Sequence, residues 1–232
     1  MTDLPDVSGL APVPERWIWA ARLFVNTMLR RFDNHVTGAE HLPRHGPVVL
    51  ASNHMGYLDG PLLVAVSPRP VHALVKETMF DGRLGWWLSK CGQIRVDRYH
   101  TDPFAVKQCL RLLGDGGVVA IYPEGSRGRG DVSTSKGGAA YLSLVTGAPV
   151  VPVACLGTRA DGASTGSMPS RGARIDTVFG PPVTFDPVPW PRTKKQVASA
   201  NSVVQEALAA HVRAACQMTG QTLPAMPTTE TS

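Results

Sequence analysis

The chain has 232 residues, 43% of them hydrophobic and 18% charged, a balance that suits one α/β domain with a full core. Its 23 Lys and Arg against 18 Asp and Glu leave a net charge of +5, which favours anionic partners: nucleic acid, lipid headgroups or phosphorylated substrates. No apolar run reaches the ~18 residues of a transmembrane span, and Met1–Asp6 lacks the basic start and apolar core of a signal peptide. The four cysteines, Cys91, Cys109, Cys155 and Cys216, form no C-x-x-C pair, so free thiols in a reducing compartment are expected, with no metal or redox role. The cytoplasm or its membrane surface is the expected location.

Residues from about Ala11 to Phe32 read as a helix carrying Trp17, Trp19, Leu23, Phe24 and Met28, accompanied by Arg16, Arg22, Arg30 and Arg31. Two readings of it stand side by side. Tryptophans beside arginines suit the interface of an anionic membrane, and the same apolar set suits packing on the domain's own core. Pro47–Ala51 is an apolar run ending at Ser52 and reads as a buried strand, after which Asp59-Gly60-Pro61 opens a helix with a carboxylate at its N-cap. Val71–Val75 is a strand delivering Lys76, Met79–Lys90 is a helix, and Gln93–Arg98 is a short strand. Asp102-Pro103 opens an amphipathic helix to about Leu113, and Val118–Tyr122 is a buried strand that leads into the loop Pro123–Gly130. A helix from Lys136-Gly137-Gly138 to Thr146, a strand at Pro149–Ala154 and a flexible loop at Asp161–Gly172 follow. Arg174–Phe179 is a strand, and Thr193–Gln217 is a helix with Val197, Ala200, Val204, Leu208 and Val212 on one face. Strands alternate with helices throughout. This predicts an α/β domain with a largely parallel sheet and a site beyond the carboxyl ends of its strands.

Three strand-end loops carry the chemistry. In Asn53-His54-Met55-Gly56-Tyr57-Leu58-Asp59, the histidine leaves a strand and the aspartate starts a helix. Residues five apart on one helix point ~140° away from each other, so the pair meets only if the turn folds back. If it does, the carboxylate holds one ring N–H and the other nitrogen is free to take a proton. Arg98 ends a second strand. In the third loop, Glu124-Gly125-Ser126-Arg127 joins glycines that let the backbone approach an anion to an arginine with a forked donor, and Lys136 opens the next helix. This is compatible with a phosphate site and equally with a mobile surface turn. It is not a Walker A loop, since G-x-x-x-x-G-K-[ST] is absent. No G-x-S-x-G elbow supports a serine hydrolase. A basic anion- or RNA-binding surface around Ser126–Gly130 lacks any recognised RNA-binding signature. His41 and His45 have no third partner, and no metal is inferred.

Taken together, these stretches resemble the 1-acyl-glycerol-3-phosphate acyltransferase family. Its N-H-x-x-x-x-D motif corresponds to Asn53–Asp59, and its second motif to Gly92–Arg98. Its P-E-G-T-R-S motif corresponds to Pro123–Gly128, and its apolar strand with a central proline to Val150–Ala154. Lys136-Gly137 resembles the K-x-G that follows the third motif. The match runs from about Glu40 to Pro182 in order and spacing. Departures are Arg95 at an apolar position, Ser126 for Thr, Gly128 for Ser, and Gly56 where Ser is frequent. They bear on the acceptor headgroup rather than on acyl transfer.

The tail over 219–232 is expected, from its own sequence, to be disordered. The resemblance implies an acyltransferase core over 35–218 and an N-terminal membrane-interface helical segment over 1–34. It implies transfer of a fatty acyl group from an acyl-CoA or acyl carrier protein thioester to a lysophospholipid hydroxyl, with no cofactor and no nucleic-acid partner. His54 is then the general base and Asp59 orients it. Arg127 is the first choice for the acceptor phosphate, with Arg98 and Lys76 as helpers beside Gly125, Ser126 and Lys136. Glu124 is expected to brace the loop or a neighbouring arginine. Another lysophospholipid or a glycolipid is the alternative acceptor.

Overall fold

A computed structural model describes residues 15–225, with side chains from residue 17 onward. The predicted helical residues before 15, the Arg16 side chain and the tail beyond 225 lie outside the described residues. Helix α1 (Glu15–Leu29) leads into β1 (Asp33–Thr37), followed by β2 (Val48–Ser52), α2 (Asp59–Val66), β3 (Val71–Lys76), α3 (Gly82–Lys90) and β4 (Ile94–Val96). Then come α4 (Pro103–Gly114), β5 (Val118–Ile121), α5 (Gly138–Thr146), β6 (Val150–Leu156), β7 (Arg174–Phe179) and α6 (Lys194–Thr219).

The seven strands form one sheet in the order β1-β7-β6-β2-β5-β3-β4. Every neighbouring pair is parallel except β6 with β7. The largely parallel α/β expectation holds, and the sequence shows why. Val-Val-Leu-Ala-Ser in β2 and Val-Val-Ala-Ile in β5 are buried along their whole length, as strands covered on both faces must be. Val48 and Leu50 point to a core shared with Ile18 and Leu29 of α1 and Leu62 and Leu63 of α2. Val49 and Ala51 point to the opposite core, with Leu110 of α4, Leu142 of α5 and Leu208 of α6. The two-residue period of the strand thus divides one apolar run between two layers.

Capping fixes where the helices begin. The Asp102 carboxylate accepts from the Ala105 N–H at 2.9 Å, and Thr193 with Gln196 forms a full capping box for α6. Asp59 departs from expectation: it is the first residue of α2, Leu58 holds the cap position, and no side chain caps that helix. Its carboxylate turns back into the preceding turn instead. The helix expected over 79–90 is also divided. Glu77–Phe80 is a 3-10 turn, Asp81 is extended, and Gly82 takes φ +64° before α3 starts.

The N-terminal helix packs on the domain's core by one face and leaves apolar side chains exposed on another. Ile18, Ala21 and Leu29 are buried in the core, so the helix is integral to the domain. Trp19, Leu23 and Phe24 point outward and are 51%, 72% and 66% exposed. The tail expected to be disordered from 219 is ordered through 225. Leu223 packs against the core, and the backbone of Ala225 is held on both sides, by Asp161 (2.6 Å) and Arg159 (3.1 Å).

This topology places the site. From β2 the chain crosses through α2 toward β3, whereas from β5 it crosses through α5 to β6, on the other side of β2. Helices α2 and α5 lie on opposite faces. A crevice therefore opens beyond the carboxyl ends of β2 and β5, the usual ligand position of an open α/β sheet.

Candidate active site

The turn after β2 does fold back. His54 Nδ1 lies 2.8 Å from Asp59 Oδ2, and the same oxygen accepts the backbone N–H groups of Met55 (2.7 Å) and Gly56 (2.9 Å). One carboxylate oxygen thus gathers three donors and sets the turn. Asp59 is completely buried and the His54 side chain is 16% exposed. With Nδ1 held as the donor, Nε2 is the basic nitrogen, and it has no protein partner among the described residues.

The turn is anchored from both neighbouring strands. Asn53 extends the β2–β6 ladder by one rung through its side chain: Oδ1 accepts from Cys155 N (2.8 Å) and Nδ2 donates to Cys155 O (3.1 Å). From the β5 side, Glu124 Oε1 accepts the His54 backbone N–H at 2.8 Å, and Gly128 N–H donates to His54 O at 2.9 Å. Glu124 therefore braces the histidine backbone itself, not an arginine. Burial pushes its carboxyl up to about 7, against the hydrogen bonds from His54 and Val132 that favour the charged form. Gly130 lets the loop close over the turn. It holds φ +74°, and a Cβ there would stand 2.4 Å from Met55 Cγ and 2.9 Å from Asn53 Nδ2.

Beyond the pair lie the cations. Arg98 Nη1 donates to Gly125 O (2.8 Å), and Lys136 Nζ donates to Arg98 O (3.1 Å). Gly125 holds φ +73° with the Lys136 chain pressed on it, 2.7 Å from where a Cβ would be. Arg127 Nη1 donates to Thr165 O (3.0 Å), and its guanidinium lies over the Tyr57 ring at 5.4 Å. Burial and then the repulsion of Arg127 hold the Arg98 guanidinium below its usual value, a cost that an opposite charge placed between the two would offset. Of the expected residues, His54, Asp59, Glu124, Gly125, Arg98 and Lys136 are joined by hydrogen bonds and by the adjacency of Glu124 and Gly125, while Arg127, tied to Thr165, is near enough to Arg98 to repel it. Ser126 is exposed. Lys76 stands apart, its ammonium 5.6 Å from the centre of the Tyr99 ring. Among the described residues no cluster of three or more His, Cys, Asp and Glu side chains is placed to hold a metal ion.

Arg159 escaped the sequence reading. Buried behind the turn, it donates to Ala163 O and Gly128 O, both at 2.8 Å, and to Ala225 O at 3.1 Å. One guanidinium thus ties the loop after β5 to the loop after β6 and to the C-terminal segment. Its signal was only a basic residue just past a strand end, of the kind that also marks Arg98.

The sequence model of the Acyltransferase family matches residues 33–156, which hold the His–Asp turn and the Glu-Gly-Ser-Arg loop. The chain belongs to that family. This acyltransferase is 31% identical over 150 residues to the 1-acyl-sn-glycerol-3-phosphate acyltransferase of Bacillus subtilis, a match covering 64% of this chain and 72% of that one. The Streptococcus pneumoniae enzyme of the same name is 27% identical over 163 residues, covering 67% of this chain but only 52% of its own length. The crystal structure of the 1-acyl-sn-glycerophosphate acyltransferase from Thermotoga maritima superposes with a TM-score of 0.66 at 18% identity, covering 85% of this chain and 79% of that one. That likeness establishes a shared fold, and the acyltransferase chemistry rests on the family match.

Proposed function

We propose that this acyltransferase moves a fatty acyl group from an acyl-CoA or acyl carrier protein thioester to the free hydroxyl of 1-acyl-glycerol-3-phosphate, giving phosphatidic acid. The observation that carries the reading is the 2.8 Å His54–Asp59 contact, which leaves Nε2 as a base beside a cluster of cations. In this reading Nε2 takes the acceptor hydroxyl proton as the oxygen attacks the thioester carbonyl. Asp59 stabilises the imidazolium formed, and the imidazolium returns the proton to the departing thiolate as the C–S bond breaks. A positioned base supplies ~10²–10⁴-fold, and positioning of both substrates supplies the rest. Arg98, Arg127 and Lys136 hold the acceptor phosphate. Lys76, standing apart, receives it only if the phosphate extends toward Tyr99.

A second acceptor class, a lysophospholipid or glycolipid with a larger headgroup, is favoured by one contact. Arg127 is tied to Thr165 inside the hydroxyl-rich loop 161–172, which such a headgroup would touch. We place the protein peripherally on the cytoplasmic membrane face. Trp19, Leu23 and Phe24 project outward from α1, whose Trp17 meets Trp86 and Trp87 of α3 edge-on at 6.2 and 6.0 Å. Trp86 and Leu84 are also exposed, with Arg22 against Trp19 and Lys90 against Trp86. Among the described residues no helix is long and apolar enough to cross a membrane. A patch of aromatic and basic side chains suits the interface of an anionic bilayer.

The test is transfer from palmitoyl-CoA, oleoyl-CoA and an acyl carrier protein thioester to lysophosphatidic acid, with His54→Ala alongside. Phosphatidic acid made by the wild type and lost in the variant is the expected result. Transfer only to another lysolipid in a panel would install the second reading. A His54→Ala enzyme of near-normal rate would remove the base assignment.

A further inference from the structure

The imidazole of His54 has a second neighbour that the mechanism above does not use. The ring of Tyr122, the residue immediately after β5, stacks on it with centroids 4.1 Å apart and planes inclined by 22°. This is a face-to-face contact across one side of the histidine, while Asp59 holds the ring edge. Two constraints at right angles to each other, a hydrogen bond in the plane and a flat surface against it, leave the imidazole little freedom to turn.

The tyrosine is not there for its hydroxyl. Its oxygen is buried and has no hydrogen-bond partner among the described residues, and it lies 3.9 Å from where a Cβ on Gly60 would be. Burial pushes the phenol well above its ordinary value, aided by the nearby Cys155 and Asp59, so it stays a neutral phenol and does not compete as a base. What remains is the ring face, which carries the negative end of an aromatic quadrupole. A cation held against such a face is stabilised, more so where water is excluded. In the proposed reaction His54 becomes a cation when it takes the hydroxyl proton.

We infer that Tyr122 is a positioning residue: its ring face fixes the His54 imidazole and stabilises the positive charge the imidazole gains in the transition state. The inference rests on His54 being the base. It makes Tyr122 act on kcat rather than on substrate binding, and it makes the aromatic face, not the hydroxyl, the working part.

The test replaces Tyr122 with phenylalanine and then with phenylalanines carrying one, two and three ring fluorines, which drain the quadrupole while keeping the shape. Tyr122→Leu, which removes the face, completes the series. Acyl transfer from palmitoyl-CoA to lysophosphatidic acid is measured with thermal unfolding of each variant. The fraction of His54 present as imidazolium at one mildly acidic pH, read from its ring nitrogen shifts, needs no substrate and is followed in parallel. Tyr122→Phe is expected within about 2-fold of the wild type, with equal or higher Tm, since no hydrogen bond is lost. Along the fluorinated series kcat falls stepwise at constant KM, and so does the imidazolium fraction. Tyr122→Leu loses about 2- to 30-fold in kcat. A flat response to fluorination in both readouts would overturn the inference, as would a Phe variant as slow as the Leu one. His54→Ala separates the two claims. If it stays active, the base assignment fails. If it is dead while the series is flat, only the role of Tyr122 falls.

Discussion

Replacing Asp59 should separate its structural work from its chemical work, because one oxygen atom does both. Oδ2 accepts from the His54 ring and from the N–H groups of Met55 and Gly56, all within 2.7–2.9 Å and all out of reach of solvent on the aspartate side. Asp59→Ala leaves two buried backbone donors without an acceptor. At about 1–3 kcal/mol each this destabilises the fold by about 2–6 kcal/mol, a large part of the 5–15 kcal/mol that holds a typical domain together. For a chain of this size Tm should fall by roughly 4–24 °C. Asp59→Asn keeps an oxygen where all three donors point and exchanges one unpartnered polar atom, Oδ1, for another. It should melt much closer to the wild type. Its rate should nevertheless fall by ~10²–10⁴-fold, because a neutral amide cannot stabilise the imidazolium. Scanning calorimetry and the acyl-transfer assay on the same preparations decide the matter. An alanine variant as stable as the wild type, or an asparagine variant of normal rate, would refute the reasoning.

Glu124→Gln should flatten part of the pH dependence of stability. The buried Glu124 carboxyl titrates at about 7, above its unfolded value, so its contribution is complete below about pH 4.5 and is lost as pH rises through 7. With allowance for partial exposure this amounts to about 1–3 kcal/mol. The Tm gap between variant and wild type should therefore widen in the variant's favour from pH 5 to pH 8, and a constant gap contradicts the assignment. Ending the chain after Thr219 removes the Ala225 contacts to Arg159 and Asp161 and the packing of Leu223. A loss of roughly 2–4 kcal/mol in urea titration is expected, and an unchanged midpoint would mean the segment contributes nothing. Changing Trp19, Leu23 and Phe24 together to Ser should weaken partition onto anionic vesicles at least tenfold while leaving Tm unaltered. Undiminished vesicle binding would place the membrane contact elsewhere.

The elements that could be read from sequence are those whose evidence is local. Val48–Ser52 declares a buried strand by five consecutive apolar or small residues, and Val197, Ala200, Val204, Leu208 and Val212 declare the last helix by sharing one face. For His54 and Asp59 the spacing set only a condition, a turn that folds back, and the resemblance to the family turned it into an expectation that the 2.8 Å contact meets. Asp59 itself was misread as a cap because Asp-Gly-Pro at a helix start is the common pattern for one. Its three actual donors lie upstream, in a turn whose shape the sequence does not spell out. Arg159 and the segment around Ala225 were missed because their partners are 31 to 66 residues distant in the chain. Lys76 was overvalued by the same blindness. It leaves a strand end as Arg98 does, yet its ammonium lies over Tyr99 rather than in the hydrogen-bonded set around Gly125.

Gly56 shows how the chain's departures from the family pattern act together. In the resembled family this position is frequently Ser, but here a Cβ would stand 2.8 Å from the carbonyl oxygen of Thr158. The loop after β6 therefore approaches the His54–Asp59 turn more closely than a serine would allow. That loop carries Arg159, which holds Gly128 O, and Thr165, which holds Arg127. Gly128, where the family pattern has Ser, is itself the residue joined to His54 O. A single small residue in the buried turn is thus linked, through one loop, to the position of Arg127, the cation proposed to meet the acceptor. The His54–Asp59 contact itself is set by the bonds to Asp59 Oδ2 inside the turn and by the anchors that Asn53, Glu124 and Gly128 provide from outside it. Variation at Gly56, Ser126 and Gly128 should therefore act mainly on the side of the site proposed to take the acceptor, and acceptor preference is the property in which this enzyme should differ most from its relatives.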